Sequence, residues 1–202
     1  MHHSRCMSGV TRLLGHWHPK WTITKFHDSD GAVAKWKAQG HTAFEASVTF
    51  QDRLVEIKKF EYNGVTQTGA NLLWNLFTDI GGASPFSNAN ARLGVSTDST
   101  GFFNTQTNLN PSGLAAFYMQ LMDATFPLPP TTQVVFEATF DMNTANFHWQ
   151  SFGVDNDAID GAGDIITSYS PGTIGLVNRE VIDEGTKVLG DTWLLSLVLE
   201  IT

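Results

Sequence analysis

Residues 192–201 read Thr-Trp-Leu-Leu-Ser-Leu-Val-Leu-Glu-Ile, and every second side chain, from Trp193 through Leu195, Leu197 and Leu199 to Ile201, is apolar. A period of two puts alternate side chains on one face of an extended strand, so this stretch predicts a β-strand with a buried face. Val134–Phe140 repeats the pattern, with Val134, Phe136, Ala138 and Phe140 expected inward and Glu137, Thr139 and Asp141 outward. Asn146–Val154, carrying Phe147, Trp149 and Phe152, and Ile174–Ile182 supply two more strands, with Gly190-Asp191 as the turn ahead of the last one. Short strands separated by polar turns, with little helix, predict a mainly β protein built as an antiparallel sandwich or barrel, of which the β-sandwich is the expected fold.

Upstream, Asn71–Phe77 reads as one short helix with Leu72, Leu73, Leu76 and Phe77 as its apolar face, stopped at Gly81-Gly82. A strand is expected at Ala91–Val95, followed by the polar loop Ser96–Thr107 with Phe102 and Phe103 side by side. Burial of both rings within the chain would make that loop scaffold, and exposure of either would mark a partner site. Lys20–Phe26 alternates as a strand, Asp28–Gly31 turns, and Ala32–Ala38 is expected to pair back as a hairpin. Ala46–Phe50 and Leu54–Glu61 form a second expected pair, ahead of the turn at Asn63-Gly64. Residues 1–19 show no periodicity, and so predict an extended N-terminal arm that orders only against a neighbour. The expected organisation is an arm (1–19), a β-rich region (20–69) and a sandwich domain (70–202).

Composition excludes several function classes. A net charge of −8, with no basic stripe, argues against nucleic acid, which needs Lys and Arg to neutralise phosphates. The densest basic group, Lys35, Lys37, Lys58 and Lys59, lies on expected strands, where alternation disperses neighbours. Charged residues make up only 16% and aromatics 11%, which fits a sheet-rich core or a surface given over to partners. Cys6 stands alone, so no intrachain disulfide is expected. No apolar run reaches membrane-spanning length and the N-terminus lacks a signal-peptide core, which predicts no membrane and a cytoplasmic site of synthesis.

Residues that might carry chemistry do not assemble into a known pattern. Asp155, Asp157, Asp160 and Asp164 offer oxygen ligands, but Ile159 and Asp160 occupy places where a calcium loop of the EF-hand type needs an acid and a glycine. His16 and His18, with His2, His3, His27 and His41, fix no three-ligand set. Neither a Gly-x-Ser-x-Gly elbow nor a phosphate-binding glycine loop is present. Asp183-Glu184 would serve glycoside hydrolysis only in a cleft, and adjacent residues diverge. No catalytic residue, cofactor or metal is expected. Of Trp36, Trp74, Trp149 and Trp193, the last two sit on strands and suit the core.

An ordered series of short motifs carries a family resemblance: Asn90-Ala91-Arg92-Leu93-Gly94-Val95, Gln106-Thr107-Asn108-Leu109, Trp149 with Val154, Asn178-Arg179-Glu180-Val181, Gly185-Thr186-Lys187 and Gly190-Asp191-Thr192-Trp193. In order and spacing, residues 70–202 resemble a group of structural proteins of tailed bacteriophages. The resemblance favours a strand at Ala116–Met122, where Leu114, Phe117, Tyr118 and Leu121 also follow a helical spacing, and makes 156–173 an insertion. It implies a jelly-roll-like sandwich acting as a capsid decoration protein on the virion surface. Its partners would be the major capsid protein and neighbouring copies of itself in a homo-oligomer. The expected anchors are Leu13, Leu14, Trp17 and Trp21 in and beside the arm, with Phe102 and Phe103 on the loop. The alternative is a tail- or fibre-associated protein that binds host-surface glycans.

Overall fold

In the computed structural model of the chain, residues 17–61, 64–78, 85–109, 115–128, 133–156, 165–166 and 175–201 are described. Their elements follow in the order β1 (Trp17–His27), α1 (Ala32–Lys37), α2 (Ala43–Thr49), β2 (Leu54–Glu61), α3 (Gln67–Thr78), β3 (Ala91–Ser96), β4 (Phe117–Leu121), β5 (Gln133–Phe140), β6 (His148–Asn156), β7 (Ile165–Ile166), β8 (Gly175–Thr186) and β9 (Asp191–Ile201). One sheet has the order β2-β1-β9-β5 and the other β7-β4-β3-β6-β8, with every pairing antiparallel. The fold is a mainly β antiparallel sandwich.

The alternation in β9 decides how the sheets meet. Leu195 and Leu197 lie opposite Ile23 and Trp21 on one side and Ala138 and Phe136 on the other, and all six are buried. From the second sheet Leu93, Val95, Phe152 and Val154 face them in the same apolar cluster. Trp149 stands at its centre, edge-on to both Phe140 and Trp193 at 4.8 Å, and its indole N–H donates to Ala145 O at 2.9 Å. Such edge-to-face pairs add about 0.5–1.5 kcal/mol each beyond the area they bury. Burial of Trp149 and Trp193 places them in the core, as strand periodicity expects.

β1 pairs with β9 from Trp17↔Ile201 to His27↔Asp191 and with β2 from Lys20 to Phe26, so residues 20–26 lie between two strands in the interior of the first sheet. Trp21, expected as an exposed anchor, is corrected to a core residue. It is 1% exposed, stacks on Phe60 at 6.4 Å and tilts against Phe152 at 6.1 Å. The inner face of a central strand leaves an indole no route to solvent.

Two expected strands are helices, so the single expected helix becomes three. α1 replaces the hairpin strand at Ala32–Ala38. The buried Asp28 carboxylate accepts from the N–H groups of Val33 (3.0 Å) and Ala34 (3.3 Å) and from the Thr192 hydroxyl (2.8 Å), tying the helix start to β9. α2 replaces the strand at Ala46–Phe50 and opens with a capping box, in which Thr42 and Glu45 serve each other's backbone N–H groups. Together α1 and α2 cover one end of the first sheet's outer face, burying Phe26, Val33, Ala43, Ala46 and Leu194. Lys35 and Lys37 therefore sit on a helix and not on a strand.

That cover also overturns the outward expectation for Glu137, which is 4% exposed. Its carboxylate pairs with the buried Lys37 ammonium and accepts from Ala43 N–H (2.8 Å) and the Ser196 hydroxyl (2.9 Å). Lys37 also reaches Asp123 at 3.0 Å and His41 O at 2.6 Å. Desolvation pushes the Glu137 carboxyl up from the usual range, opposed chiefly by Lys37. Val134 does share the inner face, opposite Leu199, but is 37% exposed near the end of β5.

The connection from β8 to β9 crosses from one sheet to the other. Gly190, at φ 95°, makes the turn expected at Gly190-Asp191. Just before it, the buried Lys187 ammonium donates to Asp141 O (2.6 Å), Thr144 O (3.0 Å) and Asn146 Oδ1 (2.8 Å). Burial draws its pKa down to about 8, so at neutral pH the ammonium still serves all three oxygens and clasps the β5–β6 turn.

Candidate functional site

The loop between β3 and β4 lies across the outer face of the second sheet. Gly94 and Gly153 are directly paired there, and the space above them is filled by Leu109. A Cβ on Gly94 would sit 2.3 Å from Leu109 Cδ1, and one on Gly153 2.8 Å from Leu109 Cδ2. Leu109, Phe117, Met119 and Leu176 form the small apolar cluster that pins the loop's far end.

Its near end is held by a buried guanidinium. Arg179, on β8, donates to Thr100 O at 2.6 Å and to Asp98 O at 3.0 Å, with the Asp98 carboxylate 3.4 Å away. Burial lowers the Arg179 pKa, while Asp98 and Glu180 oppose the shift. Gln106 completes the brace. Its side chain accepts from Phe103 N–H (3.1 Å) and donates to Gly101 O (3.0 Å). The loop backbone is thus bonded on both sides, and what it presents is Phe103, 61% exposed, flanked by exposed Asn104 and Thr105. Phe102 is half-buried. Of the two rings named from sequence, Phe103 is therefore the exposed one.

α3 begins beside this loop, where Gln67 N–H donates to Asn104 O at 2.7 Å. Thr66 secures that junction to β8, its N–H reaching Val177 O (3.0 Å) and its hydroxyl Leu176 O (2.5 Å). The helix starts four residues before the expected Asn71 and turns Leu72 inward. Gln67, Asn71 and Trp74, spaced as neighbours along one helix face, are exposed, Trp74 at 56%. The side chains of Leu73, Leu76 and Phe77 lie outside the description, as do Gly81-Gly82.

A second exposed feature lies on the first sheet's side. Phe44 (76%) and Val48 (64%), one turn apart on α2, point away from the residues that bury it. Val55 (56%) and Ile57 (45%) follow on the edge strand β2, Ile57 opposite Thr24. The strand expectation for 46–50 hid this pairing. Thr42-Ala43-Phe44-Glu45 carried the signal, because a capping box places Phe44 and Val48 on the same face of a helix.

Comparison with family models, with curated proteins and with solved structures finds no match to this chain.

Of the other anchors expected from sequence, Leu13 and Leu14 lie outside the described residues, as do Cys6, His2, His3, His16, Asp157, Asp160 and Asp164. Trp17 is the first residue of β1. Asp155 is buried on β6, opposite Arg92. Among the described residues, no three His, Cys, Asp or Glu side chains converge as a metal site.

Asp183 and Glu184 diverge, as adjacent strand residues must. Glu184 is buried between Lys58 (3.0 Å) and Lys25 (3.3 Å), while Asp183 faces solvent. There His148 bonds Asp183 at 2.8 Å and the Thr186 hydroxyl at 3.1 Å. This is the serial order of an orienting acid, a base and a hydroxyl. The backbone donors flanking Thr186 are committed elsewhere, Gly185 N–H to Asp183 (2.9 Å) and Lys187 N–H to Phe147 O (3.1 Å), so an oxyanion would find neither. The trio is a surface clasp between β6 and β8.

Proposed function

We propose that this protein is a structural component of a tailed-phage virion, a capsid decoration protein that binds the major capsid protein and neighbouring copies of itself. The observation that carries the reading is the exposed apolar set Phe44, Val48, Val55 and Ile57, on a sandwich whose own core is already filled. Large exposed apolar side chains favour a protein partner, and burying them against a shell would supply the contact energy. The ordered motifs between Asn90 and Trp193 support the same assignment, and the net charge of −8 suits a surface that does not hold DNA. In this reading the protein is not an enzyme, needs no cofactor, and joins the particle's outer surface after assembly in the host cytoplasm.

Contacts with several neighbouring subunits at once would mean that rupture of the shell requires those contacts to break together. The test is antibody-gold labelling of virions, followed by rebinding of purified protein to stripped particles. Labelling distributed over the head, with occupancy lost on Phe44→Ser/Val48→Ser, is the expected result. Labelling confined to the tail, or unchanged occupancy by that variant, overturns the reading.

A further inference from the structure

The charges of this chain are unevenly distributed. Of its 12 basic and 20 acidic residues, only Asp79, Arg92 and Asp98 fall between Tyr62 and Met122, and no histidine does. Asp98 is buried against Arg179. The exposed residues of the braced loop, Ser99, Thr100, Gly101, Phe103, Asn104, Thr105 and Thr107, are all uncharged, and so are Gln67, Asn71 and Trp74 on α3. In a protein of net charge −8, the exposed residues of this loop and of the adjoining α3 stripe carry amides, hydroxyls and the largely exposed rings of Phe103 and Trp74.

We propose that the face formed by loop 99–107 and the start of α3 is a binding site for a neutral polysaccharide. Sugar rings offer two surfaces: apolar C–H faces, which settle on aromatic rings, and hydroxyls that both donate and accept. Phe103 and Trp74 supply the rings, and Asn104, Gln67 and Asn71 carry amides able to serve both hydroxyl roles. A site without formal charge gains nothing from polyanions or polycations, which selects an uncharged ligand. The bracing by Arg179 and Gln106 removes most of the ordering cost a flexible loop would incur on binding. A protein partner is better met by the apolar set on α2 and β2, because protein interfaces have a contiguous dry centre and this face is dominated by polar groups. One copy binds weakly, and an array of copies on a particle binds strongly. The site does not depend on the virion assignment: an isolated copy carries it.

The experiment is affinity electrophoresis of the full chain through gels cast with neutral polysaccharides (dextran, galactomannan, mannan) and with charged ones (alginate, chitosan). Retardation by at least one neutral polymer, unchanged by added salt, is expected. Phe103→Ala and Trp74→Ala each weaken it by about fivefold to tenfold, Phe103→Trp retains it, and Phe44→Ser leaves it unchanged. Because Phe103 is 61% exposed, its variants keep the fold, which thermal denaturation of each variant verifies. Retardation by charged polymers alone, salt-sensitive retardation, or full binding by Phe103→Ala overturns the proposal. So does an absence of neutral-polymer binding together with loss of particle occupancy in Phe103→Ala, which would make the face a protein contact.

Discussion

Gly69→Ala tests the packing that sets α3 and its exposed stripe in place. In an isolated helix this change stabilises by about 1 kcal/mol, because alanine loses less backbone freedom. Here the added Cβ would stand 2.2 Å from Val177 O and 2.9 Å from Val177 C and Cα, where ordinary contact begins at 3.4 Å. The obstacle is the backbone of β8 near its start, so it cannot rotate aside as a side chain would. Relief requires α3 to back away from β8. That overpacking costs about 1–3 kcal/mol. It also loosens the Thr66 bonds to Val177 O and Leu176 O, worth about 1 kcal/mol each. Set against the propensity gain, the net is a destabilisation of about 2–4 kcal/mol, so steric overlap wins and reverses the sign. Urea unfolding should show a lower midpoint at unchanged slope. Gly101→Ala is the control, since its Cβ meets nothing within 4 Å, and it should be neutral or slightly stabilising. A Gly69→Ala protein as stable as the parent would refute the close approach of α3 to β8.

Trp21→Ala should cost about 3–5 kcal/mol of stability, as loss of a core indole does, whereas Phe103→Ala should stay within about 0.5 kcal/mol. Equal, small effects in calorimetry would return Trp21 to the surface. Arg179→Met should destabilise by about 3–5 kcal/mol, because Asp98 is left buried without its cation, and should speed proteolysis within residues 99–105; an unchanged cleavage rate would show that the guanidinium does not hold the loop. Burial pushes the Glu180 carboxyl up to about 7, against the Val181 N–H and the Arg179 guanidinium. The folded protein then keeps a proton that the unfolded chain releases near 4.5, so this contribution is complete below that pH and lost as pH rises through about 7. Between these values the denaturation midpoint of the parent should fall relative to Glu180→Gln, and parallel curves would contradict the shift.

Periodicity made β5, β6, β8 and β9 legible, because each half-buried strand writes its two faces into alternate residues, whereas β4 fitted a helical spacing as well and β7 was not expected. Periodicity misled at Glu137 and Lys37, and it assigned Arg179 to neither face. Long charged side chains look solvated in any pattern, and only the arrival of α1 and α2, or of the 96–109 loop, on an outer sheet face buries them with partners. The segment Ala32–Thr49 was misread for a related reason: its alanines and Thr42–Glu45 box favour helix, but brief apolar runs fit either period. The candidate site was half visible, as an uncharged loop with two adjacent phenylalanines.

By itself, then, the sequence determined a mainly β antiparallel protein, the inward faces of its last strands and the turns that separate them, since these depend on local alternation and turn chemistry. Only the tertiary structure decided that β1 runs beside β9, that Trp21 is core, and that Phe103 is held out on a loop braced by Arg179. Those outcomes depend on residues more than 70 positions apart, 21 with 197 and 100 with 179, and nothing in local sequence encodes which of them meet.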